Sequence, residues 1–364
     1  MTKNLRVGII GANLQGSWGV GAHLPALAQL DGFEAIAVAT QHIESAQASA
    51  DAFGVPLAFG DPMELVRHPD VDIVAVCVRV PAHRELVLAA IAAGKHVYCE
   101  WPLGRDAAEA REMLAAAEKA GIVHMVGLQS RSSPVLGYVR GLIEQGEIGT
   151  VRSVSMTHSS DWLTAPFPSI TYLQDRSSGA HFLSIPGGHS LDALTYVLGD
   201  FKSLSAVVKT SLKDLEVQFT GEKMTRTSAD QIVVIGELEN GAVANVRLSG
   251  ASSLGTGVRL EISGDKGDLV VIAQGDARGI QMSDLKLFKT TGMGVLTEVE
   301  VPESAYHVPE AVRVSPPLNV AEAYLHMADA IAGKSKATPD FADAIKHHEL
   351  LDRIEESSRK GVRI

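Results

Sequence analysis

The earliest residues in the chain with the spacing for chemistry close its first apolar run: Gly8-Ile9-Ile10-Gly11-Ala12-Asn13-Leu14-Gln15-Gly16. From Gly11 onward this is the G-x-G-x-x-G fingerprint with Asn13 in place of the middle glycine. In that motif the first glycine turns the chain and the second lets a diphosphate approach the backbone. The third lets a helix pack closely on the strand. The N-terminus of that helix offers free N–H groups and a partial positive charge. Asparagine tolerates a left-handed backbone better than most residues, so the turn survives, with more bulk at the phosphate. The expected ligand is an adenine dinucleotide, with Gly11, Asn13, Leu14 and Gly16 among its contacts. The second strand-like run ends Ala39-Thr40-Gln41-His42, where a dinucleotide fold reads the adenosine ribose. An acidic group there bonds the ribose hydroxyls and repels a 2′-phosphate, and none is present. Thr40, Gln41 and His42 all donate hydrogen bonds, so NAD and NADP both fit. The balance tips toward NADP, although no arginine accompanies them.

The elements around this turn alternate short β-rich runs with Ala-rich helical patterns, the signature of a parallel α/β sheet. Strands are expected at 5–10, 33–39, 71–78, 95–99 and 123–128, and helices at 23–30, 44–53, 84–93 and 107–120. The run 71–78 is almost wholly apolar, as a central strand buried on both faces requires. After about residue 150 the pattern becomes β-rich, with strands expected at 151–159, 204–210, 232–238, 242–248, 258–263 and 269–272. Asn240-Gly241 and Gly264-Asp265-Lys266-Gly267 are tight-turn signals that join antiparallel neighbours. Helices return at 319–332 and 342–357. The expected architecture is an α/β Rossmann domain, 1–127, then an α+β domain, 128–364, with a large, open, mostly antiparallel sheet. The C-terminal helices are expected to pack back on the Rossmann half.

A chain of 364 residues, 46% hydrophobic and 21% charged, is a two-domain globular protein with a sizeable core. Its net charge of −11, without a Lys/Arg run, speaks against a nucleic-acid surface. Cys77 and Cys99 are the only cysteines, each at the end of a strand-like run, so buried reduced thiols are expected rather than a disulfide framework. No stretch has the length and apolarity of a membrane span. The N-terminus runs directly into a strand, which leaves no room for a signal peptide. The expected compartment is the cytoplasm.

With these elements in place the chain resembles the glucose–fructose oxidoreductase/inositol dehydrogenase (Gfo/Idh/MocA) family over nearly its whole length. The resemblance rests on the Gly8 to Gly16 turn with His23-Leu24-Pro25-Ala26-Leu27, on Val71-Asp72-Ile73-Val74, and on Pro81 with His83. Gly94-Lys95-His96-Val97, Cys99-Glu100-Trp101-Pro102-Leu103, Gly188-His189 with Asp192, and Pro339-Asp340-Phe341 extend it. Asn13 with Gly16-Ser17-Trp18, Glu100-Trp101, the run from Leu128 to Pro134, and Gly188-His189-Ser190-Leu191-Asp192 are more similar to the branch of the fungal galactose-pathway repressor. The resemblance implies NAD(P)-linked chemistry on sugars or polyols and a homodimer or homotetramer built through the C-terminal sheet. It also implies cofactor contacts at Val78, Pro81, His83, Glu100, Trp101 and Gln129.

The chain departs from the family at two reactive positions. Where the family's dehydrogenases place a lysine after the glutamate, this chain has Trp101, and where an aspartate often precedes the histidine it has Ile185. Hydride transfer from an alcohol needs a base for the hydroxyl proton, and an indole N–H only donates. His189 is the expected acid/base, as a single histidine tuned near neutral pH, with His181, Tyr172 and Asp161 as alternatives. Asp192, three residues on and on the same helical face, is placed to orient His189 or to brace a domain contact. The irregular stretch 161–181 is rich in aromatic and polar residues, as binding loops often are. Asp161, Trp162, Tyr172, Trp101, Arg131 and Asp192 are the substrate candidates. His83, His347 and His348 have no ligand spacing, and no metal site is expected. The functional expectation is an NAD(P)-dependent oxidoreductase acting on a sugar, polyol or glycoside-type cyclic alcohol. Its alternatives are a non-enzymatic NAD(P)-binding regulator, or an NAD-dependent lyase or glycosidase that oxidises its substrate transiently.

Overall fold

The computed structural model describes residues 4–161, 163–252, 255–273, 279–291 and 294–364. The chain divides into two compact units, Met1–Gln129 with Tyr306–Lys346, and Ser130–Ala305 with His347–Ile364. Among the described residues no helix is long and apolar enough to cross a membrane.

The first unit is built on six strands, β1 (Leu5–Ile10), β2 (Phe33–Ala39), β3 (Leu57–Phe59), β4 (Ile73–Val76), β5 (His96–Glu100) and β6 (His124–Gly127). All are parallel, in the order β3-β2-β1-β4-β5-β6. The four residues of β4 are fully buried, and the strand is shorter than the expected run, although the N–H groups of Asp72 and Cys77 still donate to Arg6 O and Ile10 O of β1. Arg6 on β1 donates to both carboxylate oxygens of Asp72, which ties β1 to the entry of β4. Asp106 caps the helix Ala107–Ala120 by accepting from the N–H groups of Ala108 and Glu109, so the chain leaves β5 and turns sharply into that helix. β1 has β2 on one side and β4 on the other, which makes the gap beyond its C-terminal end the switch point where such sheets hold ligands. The helix Pro317–Ile331 belongs to this unit. Its Tyr324 is buried and stacks on Tyr98 of β5 with ring centroids 5.3 Å apart.

The second unit carries an eight-stranded sheet. Its strands are β7 (Val151–Ser159), β8 (Phe201–Lys209), β11 (Gln231–Leu238), β12 (Val243–Ser249), β13 (Gly257–Gly264), β14 (Gly267–Ala273), β15 (Leu285–Thr291) and β16 (Thr297–Val299). A separate two-stranded ribbon, β9 (Asp214–Glu216) with β10 (Lys223–Thr225), stands apart. The order is β16-β15-β14-β13-β7-β12-β11-β8, and every pair is antiparallel except β7 with β12. The parallel pair is possible because a long connection, not a hairpin, separates those two strands. One face is apolar and buried through Val154, Met156, Val234, Val246, Leu260 and Ile262. The other exposes Val207, Val233, Ile235 and Val243 among charged residues such as Arg247 and Arg259. β15 and β16 are not among the strands expected from the sequence; β16, at the edge of the sheet, is only three residues long. The helices Pro134–Glu144 and Gly188–Leu198 also belong to this unit.

Candidate functional site

The turn after β1 shows why its glycines are needed. Gly11 has φ +98°, and a Cβ there would lie 2.4 Å from the carbonyl oxygen of Cys77, so both conformation and space demand glycine. Its N–H donates to Ala39 O (2.8 Å), joining the turn to the end of β2. Asn13 folds back on itself: its N–H donates to Ser17 Oγ (2.8 Å), and its Oδ1 accepts from Gln15 N (2.9 Å). Leu14, Gln15 and Gly16 are exposed. The helix expected at 23–30 instead begins at Gly19 with a wide π turn, Gly19–His23, and ends as Leu24–Leu27. Close packing on the strand, the role expected of the third glycine, belongs to Gly19, whose added Cβ would meet Ala12 Cα and Ile9 at 3.1 Å. A Cβ on Gly16 would meet nothing within 4 Å. Sequence spacing alone points to Gly16, and Gly19 was missed because the turn is three residues longer than the motif assumes.

At the end of β2, Thr40 is buried and its hydroxyl donates to His42 O (2.8 Å), while Gln41 and His42 are exposed. Thr40 is therefore spent on shaping the loop. Val78 is half-buried and Pro81 exposed in the loop after β4. His83 is buried, its two ring nitrogens 2.9 Å from Val78 O and from Pro102 O, where it ties that loop to the one after β5. Burial holds its pKa below the ordinary histidine value. Glu100 is clamped at both oxygens, by His23 Nε2 (2.9 Å) and by Gln129 Nε2, and His23 Nδ1 pairs with the hydroxyl of Tyr324 (2.8 Å). Trp101, next in the chain, is 4% exposed. His23 and Tyr324 were not singled out from the sequence, although His23 stands in the His-Leu-Pro motif that carried the resemblance.

Three groups of metal-ligand type do come together in this unit: His23, Cys77 and Glu100 lie with their ligand atoms within 4.8 Å of one another. Hydrogen bonds already account for two of them, and burial drives the Cys77 thiol far toward its protonated form, so the grouping needs no ion to explain it. Cys99 is likewise a buried free thiol pushed up by burial.

In the second unit the helix Gly188–Leu198 gathers the remaining candidates. His158 on β7 pairs through Nδ1 with Ser190 Oγ (3.0 Å), and His347 Nε2 with Gly188 O (2.8 Å). His189 lies among them, 4% exposed, and its Nδ1 has no hydrogen-bond partner among the described residues. Burial first, then the neighbouring His347 and His158, lower its pKa to about 3, not near neutrality as the sequence reading expected. Asp192 is fully buried and receives the Arg131 guanidinium at 2.8 and 2.9 Å, so these two candidates face each other. Tyr172 and His181 are half-buried and Asp161 is exposed, while Trp162 lies outside the described residues. His181 is lowered to about 4 by burial, then by Arg176. The loop carrying them is anchored by a residue the sequence did not reveal. Arg226 is fully buried and donates to Asp230 (3.0 Å), to Gln174 Oε1 (2.7 Å), to Leu212 O (3.3 Å) and to Leu163 O. Only its four-residue spacing from Asp230 hinted at this pair.

Residues 5–128 match the oxidoreductase family with an NAD-binding Rossmann fold, and residues 134–273 match the Gal80p C-terminal domain. Residues 5–128 thus belong to the Gfo/Idh/MocA oxidoreductase family by their NAD-binding Rossmann domain, and residues 134–273 carry a Gal80p-like C-terminal domain. Dehydrogenase aclE of Aspergillus oryzae is 32% identical over 212 residues, a match spanning 57% of this chain and 58% of that protein. Levoglucosan dehydrogenase of Pseudarthrobacter phenanthrenivorans is 27% identical across 98% of this chain and 97% of its own length. The galactose/lactose metabolism regulatory protein GAL80 of Kluyveromyces lactis is 28% identical across 79% of this chain and 67% of that protein. Among solved structures, levoglucosan dehydrogenase in complex with NADH and levoglucosan shares the fold with a TM-score of 0.85 at 24% identity, over 100% of this chain and 99% of that one.

Proposed function

We propose that the chain is an NAD(P)-dependent oxidoreductase that moves a hydride between nicotinamide C4 and a carbon of a sugar, polyol or related cyclic alcohol, with His189 as acid/base. The observation that carries this reading is the ring of His189. Its neighbours His158 and His347 have bonded ring nitrogens, whereas His189 Nδ1 is buried without a partner among the described residues. A buried acceptor left unpaired costs about 1–3 kcal/mol, and a substrate hydroxyl is the donor that would satisfy it. Lowered to about 3 by burial, the ring is neutral at physiological pH but a weak base, so accepting that proton requires bound substrate and cofactor to raise its basicity. The exposed Gln41 and His42, without a carboxylate beside them, favour NADP alongside NAD. The open sheet face with Val207, Val233, Ile235 and Val243 suits a homodimer or homotetramer.

A second reading, an NAD(P)-binding regulator without chemistry, is favoured by Trp101 at the family's lysine position and by the resemblance to GAL80. Purified protein incubated with a panel of sugars, polyols and aryl glycosides plus NAD or NADP separates the two. The expected result is reduction of one cofactor, followed at the nicotinamide absorbance, and its loss in His189→Gln. No cofactor reduction and no product release across the panel, with dinucleotide binding intact, would leave the regulator.

A further inference from the structure

The hydrogen bonding of the turn after β1 leaves its middle residue with an unassigned donor. Of the backbone N–H groups from 11 to 17, that of Gly11 goes to Ala39 O, that of Asn13 to Ser17 Oγ, that of Gln15 to Asn13 Oδ1 and that of Ser17 to Asn13 O. A Gly-rich turn offers its diphosphate mostly backbone N–H groups, and here two of the central ones, those of residues 13 and 15, are consumed inside the turn. In exchange the turn presents a carboxamide. Because Oδ1 accepts from a backbone N–H, the opposite end of the Asn13 side chain must be the NH2 group. That group has no partner among the described residues, and Asn13 is half-buried beside the exposed Leu14, Gln15 and Gly16.

We propose that Asn13 is a diphosphate ligand of this chain, donating through Nδ2, and that the bond from Gln15 N to Oδ1 aims it. The bulk that replaces the middle glycine is thus exchanged for a donor that makes a charge-assisted bond to an anionic oxygen. This rests on the reading that the chain takes up a nicotinamide dinucleotide. It adds that the asparagine strengthens that uptake.

The test is equilibrium titration of the full chain with NADH and NADPH, and competition by ADP-ribose and by adenosine, which lacks the diphosphate. Asn13→Asp keeps the oxygen that accepts from Gln15 N and puts an anionic oxygen where NH2 stood. Asn13→Ala removes both without adding charge. Far-UV circular dichroism and melting confirm that each variant is folded. The expected result is at least a tenfold weaker Kd (on the order of one charge-assisted contact) for dinucleotide and ADP-ribose in Asn13→Asp, several-fold in Asn13→Ala, and unchanged adenosine competition. Binding by Asn13→Asp within about twofold of wild type, or equal weakening of adenosine, would overturn the proposal. A wild type that binds neither NADH nor NADPH sinks the dinucleotide reading itself, a different failure.

Discussion

Acid should unfold the second unit through its buried imidazoles. His189 and His347 are 4% and 3% exposed, and each is lowered to about 3, by burial first and then by His347 and His158 at His189 and by Arg131 at His347. In the unfolded chain both return to about 6.5. The unfolded state then binds more protons than the native state between those values, so stability falls as pH falls. The loss begins near pH 6.5, continues to about 3 and goes no further below that, where both states are protonated. At pH 5 each ring is about 1.5 units below its unfolded pKa, which at about 1.4 kcal/mol per unit is about 2 kcal/mol each and about 4 kcal/mol together. That is a large share of the roughly 5–15 kcal/mol that holds a protein folded. The perturbation is His347→Gln, which keeps a side-chain donor for Gly188 O but does not titrate. Urea unfolding followed by far-UV circular dichroism, at intervals from about pH 8 to about pH 4, should show the wild type losing at least about 4 kcal/mol by pH 5, to which His181, lowered to about 4, adds, and the variant losing about 2 kcal/mol less than wild type. The readout is the slope with pH, so a variant less stable at every pH still answers the question. A variant that loses as much as wild type over that interval would refute the reasoning.

Arg226→Met should cost about 3–5 kcal/mol by stranding the buried carboxylate of Asp230, and adding Asp230→Asn should recover part of it. Melting of the two variants checks this, and hydrogen exchange over residues 163–174 should rise in the single variant. Under the proposed function kcat/KM should be flat from about pH 5 to about 9, because a ring with a pKa of about 3 does not titrate in that range. A limb near pH 6.5 that disappears in His189→Gln would show that the ring is far more basic in the working enzyme.

What the sequence revealed and what it hid divide along a physical line. A continuous apolar run reveals Leu5–Ile10 and an alternating one Val151–Ser159, because burial on a pleated face is a local property. The turn glycines are legible for the same reason, since a positive φ is a property of one residue. Partner choice is not local. His23 meets Tyr324 across 301 positions, and Arg226 reaches Leu163 across 63. Nothing in the periodicity of either segment names the other. Arg131 and Asp192 were each legible as chemistry, yet their pairing 61 positions apart turns two apparent substrate groups toward each other. The low pKa of His189 comes first from burial and then from His347 and His158, all supplied by segments distant in sequence, so it was not legible there.

The departures from the family have unequal consequences. Asn13 leaves the turn closed and its φ-demanding glycine in place, so it alters how a phosphate is met without removing the means of meeting it. Trp101 fills its site at the end of β5, next to a glutamate clamped at both oxygens, so the strand end is held as firmly as a binding surface requires. Neither the indole of Trp101 nor the side chain of Ile185 takes up a proton. Under the proposed function the acid–base step falls to His189, whose Nδ1 is buried without a hydrogen-bond partner among the described residues.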